Sequence, residues 1–76
     1  MIEVLFFGQL TDITGISSLS LDSFSDTDSL VSHLQQRFPD LAKAKYMIAV
    51  ENHVINSAIS LKPGSSIAFM PPFSGG

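Results

Sequence analysis

The chain contains no cysteine and no tryptophan, only four lysine and arginine residues, and no apolar run long enough to cross a bilayer. Without cysteine there is no disulfide, no thiolate nucleophile and no cysteine metal ligand. Four cations against seven acids give a net charge of −3 with no Lys/Arg cluster, which argues against nucleic acid as a partner. Met1 to Phe7 is apolar but shorter than the hydrophobic region of a signal peptide. No membrane association is expected, and a cytoplasmic location is. Low charge, 14%, beside 45% hydrophobic residues describes a chain that folds rather than one that stays disordered. Seventy-six residues make one domain, burying only about 60% of its unfolded surface.

The apolar pattern divides the chain into short elements. Ile2 to Phe7 is β-branched and aromatic and ends at Gly8, so a strand is predicted with Ile2, Val4 and Phe6 on one face and Glu3, Leu5 and Phe7 on the other. Gln9 to Ile13 reads as a loop or short helical turn, closed by Gly15. Ser17 to Leu21 alternates serine with leucine, as an edge strand with one wet face would. After the Ser/Asp-rich loop 22–28, Thr27 is the expected helix N-cap. Leu30, Val31, Leu34 and Phe38 then recur at helical spacing, and Pro39 stops the helix at Phe38. A connector, Asp40 to Lys45, leads to a strand at Tyr46 to Val50. A turn at Glu51-Asn52-His53, a strand at Val54 to Asn56, a type II turn at Lys62-Pro63-Gly64 and a last strand at Ser66 to Met70 complete the chain. One helix cannot cover both faces of such a sheet, so an α+β arrangement with the helix on one face is predicted.

The end of the chain reads differently. Two prolines follow the last strand directly, and the sequence finishes Phe73-Ser74-Gly75-Gly76. Pro71 and Pro72 have no backbone N–H to donate and hold φ near −65°, so they end sheet pairing. The six residues from Pro71 to Gly76 can reach roughly 20 Å when extended, and two terminal glycines let another protein's backbone approach closely. The expected division is a folded domain over 1–70 and an irregular, projecting arm over 71–76 that presents a terminal carboxylate.

Other chemistry is thinly represented. His33 and His53 lack ligand spacing, and Asp22, Asp26 and Asp28 lack the glycine and closing glutamate of a calcium loop. No metal site is expected. Lys43, Lys45 and Lys62 read as surface charges.

The element order, the segment Lys62-Pro63-Gly64, the run Ile67 to Pro72 and the final Gly75-Gly76 resemble the ubiquitin-like sulfur carriers, the small subunits of molybdopterin synthase above all. The resemblance covers the whole chain and is most specific from Gly64 to Gly76. Two departures stand out: many members carry an arginine where Thr11 stands, and an acidic pair where Ser65-Ser66 stand. The resemblance implies a β-grasp fold and a carrier that is not an enzyme on its own. An E1-like adenylating enzyme would spend ATP to activate the Gly76 carboxylate. A sulfur donor such as a cysteine desulfurase or rhodanese-like protein would convert it to a thiocarboxylate. The arm, Pro71, Pro72, Phe73, Ser74, Gly75 and Gly76, would then enter the large catalytic subunit, in a heterotetramer of two small and two large subunits, and pass sulfur to cyclic pyranopterin monophosphate during molybdenum cofactor biosynthesis.

The residues agree with that chemistry. A carboxylate is a poor electrophile and needs activation, yet the sequence holds no phosphate-binding glycine loop; ATP belongs to the partner and no cofactor is expected on this chain. With no cysteine present, sulfur must come from outside. If the first and last strands lie side by side, Leu5, Phe7, Ala68 and Met70 form one exposed apolar patch where partners dock. Two further readings share the tail or its neighbourhood: a thiamine-type carrier or ubiquitin-like modifier, and a protein-binding module with an inert tail.

Overall fold

The alternation in β1 (Ile2–Phe6) sets the architecture. Ile2, Val4 and Phe6 turn inward and are at most 2% exposed, while Leu5 stays on the opposite face, half-buried. The computed structural model, which describes residues 1–72, places β1 between two partners. β2 (Ser18–Leu21) runs antiparallel to it. β5 (Ser66–Met70) runs parallel, with Leu5 opposite Ala68 and Phe6 opposite Phe69. β3 (Met47–Val50) lies antiparallel to β5, and β4 (His53–Ile55) pairs with β3. The order is β2-β1-β5-β3-β4. The serine-rich β2 occupies an edge, as its wet face predicts.

One face of this mixed sheet carries the main helix, the β-grasp arrangement. Between β1 and β2 the chain makes a short helix, α1 (Leu10–Thr14), ended by Gly15 at φ 75°. The main helix, α2 (Thr27–Arg37), buries Leu30 and Leu34 completely and packs Val31 against the same core, which its C-cap residue Phe38 also joins. These residues meet Ile2, Val4, Phe6, Ile67 and Phe69 from the sheet. Aromatic contacts add direction to the packing: Phe6 meets Phe38 edge-on at 6.1 Å and Phe69 at 5.6 Å, and Tyr46 lies 5.2 Å from Phe69. Gln35 donates to the Tyr46 hydroxyl at 3.1 Å, which ties the helix to the start of β3. Pro39 does end α2, and it opens a 3₁₀ turn, Pro39–Lys43, whose Leu41 is fully buried.

Three local expectations are corrected. The N-cap is Asp26, not Thr27: the Asp26 carboxylate accepts from the Ser29 amide at 2.8 Å. Thr27 is already helical, and its buried Oγ1 accepts from the Ile59 amide at 3.1 Å while its own amide donates to the Ile59 carbonyl. The hydroxyl is therefore committed to a distant loop and is not free to cap. Second, the β3–β4 turn holds two residues, Glu51 and Asn52, at φ 50° and 66°, so Val50 pairs with His53 and β4 starts one residue early and ends at Ile55. Glutamate is unusual there, and two bonds hold it: its amide donates to the Ser66 carbonyl at 2.9 Å, and its side chain accepts from the Ser66 amide at 2.8 Å. Third, regular pairing ends at Phe6 and begins at Ser18 and Met47, so Phe7, Ser17 and Tyr46 lie just outside their strands. The Lys62-Pro63-Gly64 turn forms as predicted, with Gly64 at φ 84° and the Ser65 amide donating to the Lys62 carbonyl.

The hydrogen bond from the Ser29 backbone to Asp26 holds that carboxylate below its usual value of 3.8. A group whose pKa falls on folding contributes stability above its unfolded pKa, and loses it as pH drops through the folded value. Asp26→Ala should therefore lower the thermal midpoint at neutral pH. Its deficit against the parent should shrink once pH falls below the unfolded value of about 4, followed by circular dichroism; a deficit independent of pH would contradict the cap.

Candidate functional site

The parallel pairing of β1 and β5 places the four predicted docking residues together. Leu5 and Ala68 are register partners on the face away from α2. Phe7, just beyond β1, still donates its amide to the Phe69 carbonyl at 3.0 Å, and its ring is 48% exposed. Met70 ends β5 on the same face, half-buried. These four residues line a shallow concavity of about 280 Å³. Its floor is low because Ala68 and Ala49, which are opposite each other, have small side chains.

The patch is larger than the sequence reading made it. Val54 pairs with Ala49 and is 50% exposed, and Met47 pairs with Met70 and is 36% exposed. Both extend the apolar face across β3 and β4. The alternation of Met47 with Ala49 was visible in the sequence, but only the strand order puts β3 beside β5. A second concavity, about 400 Å³, lies between the start of α2 and the β3–β4 edge. Asp28 is the one charged side chain lining it.

The root of the arm is packed. Pro71 and Pro72 form no strand, as their missing N–H groups require, but both are half-buried rather than projecting. Pro71 sits against Gly8: a Cβ at position 8 would lie 2.8 Å from Pro71 Cγ. Gly8 is also at φ 57°, a conformation that side chains with a Cβ disfavour. Thr11 secures this turn, its amide and hydroxyl both donating to the Gly8 carbonyl at 3.1 and 2.8 Å. Thr11 therefore has a structural task in holding this turn. Ser65 is buried and accepts from the Lys62 amide through its hydroxyl at 3.0 Å. Phe73, Ser74, Gly75 and Gly76 lie outside the described residues.

The remaining candidates stay apart. His53 is exposed, with Nδ1 2.9 Å from the Glu51 carbonyl, while His33 packs against Phe24, the ring centroids 5.2 Å apart and the planes tilted by 46°. Among the described residues no three His, Cys, Asp or Glu side chains gather as a metal site would require. No helix among them is long and apolar enough to cross a membrane.

With this geometry in place, comparison with known proteins is informative. The ThiS family pattern matches residues 4–76. The molybdopterin synthase sulfur carrier subunit of Haemophilus influenzae is 32% identical over 81 aligned positions, spanning the whole of both chains. The human protein of the same description is 32% identical, over 99% of this chain and 93% of that one. A chain from the complex of subunits 1 and 2 of the Helicobacter pylori molybdopterin-converting factor superposes with a TM-score of 0.75 at 27% identity, covering 99% of this chain and 97% of that one. Small archaeal modifier protein 1 of Methanosarcina acetivorans shares the fold, with a TM-score of 0.82 at 22% identity over 99% of this chain and 95% of that one.

Gly8→Val combines a β-branched side chain at positive φ with the collision against Pro71. It should cost about 2 kcal/mol or more by chemical denaturation, and an unchanged denaturation midpoint would refute the close seat of Pro71.

Proposed function

We propose a function from one premise: the chain belongs to the ThiS family. It is the sulfur carrier subunit of a molybdopterin synthase. The observation that carries this reading is the full-length likeness to two such subunits, with the family match running to Gly76 itself. The apolar face at the root of the arm supplies a reason for the architecture: it gives a partner something to hold while the arm enters an active site.

The chemistry proceeds in three steps. The Gly76 carboxylate attacks the α-phosphorus of ATP in an E1-like enzyme, pyrophosphate leaves, and an acyl-adenylate forms. A persulfide sulfur on the donor protein displaces AMP to give an acyl disulfide. A thiol reductant then attacks the donor's cysteine sulfur, breaking the S–S bond so that the thiocarboxylate leaves and the donor cysteine ends in a disulfide. In the large subunit that sulfur passes to cyclic pyranopterin monophosphate, and water returns Gly76 to a carboxylate. None of these steps calls for a catalytic side chain on this protein. What the chain contributes is a reactive terminus and a grip.

Co-expression with the activating enzyme and sulfur donor should raise the intact mass by the difference between one sulfur and one oxygen atom. Deleting Gly76 should abolish the increase while leaving the thermal midpoint nearly unchanged. An inert tail would show no mass change in the unaltered chain.

The same open face serves both partners in this account. Phe7→Asp should fold normally, because the ring lies outside the core, and should weaken binding to the large subunit and to the adenylating enzyme alike, by about tenfold or more. Calorimetry against each partner separately tests this; unchanged affinity for both would remove the shared face.

A further inference from the structure

Two of the chain's three methionines stand opposite each other at the root of the arm. Met47 opens β3, Met70 closes β5, and the register pairs them directly. Both lie on the open face, because Ala49 and Ala68 occupy that face two positions inward on the same strands. Met47 is 36% exposed and Met70 half-buried, and neither belongs to the buried core. The chain has no cysteine and no tryptophan, so the thioethers are the groups that a peroxide meets first.

We propose that Met47 and Met70 form an oxidation-sensitive modification site that switches the open face out of its docking state. This rests on the reading of that face as the partner surface. The reaction needs a peroxide as oxidant. A thioether sulfur attacks one peroxide oxygen, the O–O bond breaks, an S–O bond forms, and with hydrogen peroxide the other oxygen leaves as water. The sulfur is oxidised by two electrons and the peroxide reduced by two. The sulfoxide oxygen is a strong hydrogen-bond acceptor that an apolar partner surface would bury without a donor. A flexible side chain suited to different partners becomes a polar one. The core contains neither sulfur atom, so the fold survives the change. Reduction by the methionine sulfoxide reductases, with a dithiol as reductant, restores the face.

Met1 provides an internal control. It is 68% exposed and sits at the opposite end of β1, where its carbonyl accepts from the Gly64 amide at 2.8 Å. The experiment treats the intact chain with limiting hydrogen peroxide, separates the singly oxidised forms, assigns each by peptide mass, and measures affinity for the large subunit by calorimetry. The sulfoxide at Met47 and the sulfoxide at Met70 should each weaken binding by about tenfold or more. The Met1 sulfoxide should bind like the unmodified chain, thermal midpoints should stay together, and reductase treatment should restore affinity. Met47 and Met70 sulfoxide forms that bind like the unmodified chain would overturn this inference alone, as would a loss of binding accompanied by unfolding. If the unmodified chain does not bind the large subunit, the docking reading fails first and this inference falls with it.

Discussion

The parallel pairing of β1 with β5 is the constraint on which the rest of the molecule depends. It joins the start of the described chain to its end, and parallel pairing demands a long crossover, which here contains the helix and three other strands. One face of the pair, Val4 and Phe6 beside Ile67 and Phe69, forms the floor on which α2 packs. The other face, Leu5 beside Ala68 with Phe7 and Met70 beyond, is left open. The strand that completes the core therefore also delivers Pro71 to the edge of the exposed apolar surface. The core and the placement of Pro71 depend on the same ladder of hydrogen bonds.

The proposed function divides the labour between this chain and its partners. It has no cysteine to carry sulfur, and its described residues gather no metal-binding cluster. A small domain can still take part in difficult chemistry if it brings a carboxylate to enzymes that own the ATP, the sulfur and the pterin. Such a carrier must be recognised repeatedly and released each time. A shallow face with alanines at its floor and adaptable methionines at its margin suits repeated, exchangeable docking better than a deep, rigid cleft would.

Much of this was legible in the sequence because alternation and helical spacing are local signals. The two faces of β1 and β5, the stripe on α2, its stop at Pro39 and the turn at Gly64 all read directly. The misses share one cause: each depends on a partner remote in sequence. Thr27 has good capping chemistry, and only the bond to Ile59, across the loop that follows β4, diverts it and leaves Asp26 as the cap. Glu51 is a poor choice for positive φ, and only Ser66 explains how it is held. Met47 and Val54 joined the open face through strand order, which no local pattern states. The seat of Pro71 against Gly8 likewise required the parallel register. For the terminal glycines the sequence carried the weight, through the narrow pattern that ends the chain.

The most direct test of the carrier account is a single turnover with defined components. The chain is prepared with a thiocarboxylate at Gly76 and mixed with the large subunit and cyclic pyranopterin monophosphate, and the intact mass is followed with the pterin product. The account predicts that two thiocarboxylates return to carboxylates for each dithiolene product formed, because each chain delivers one sulfur and the dithiolene holds two. Sulfur that stays on the chain while the complex is fully formed would contradict it.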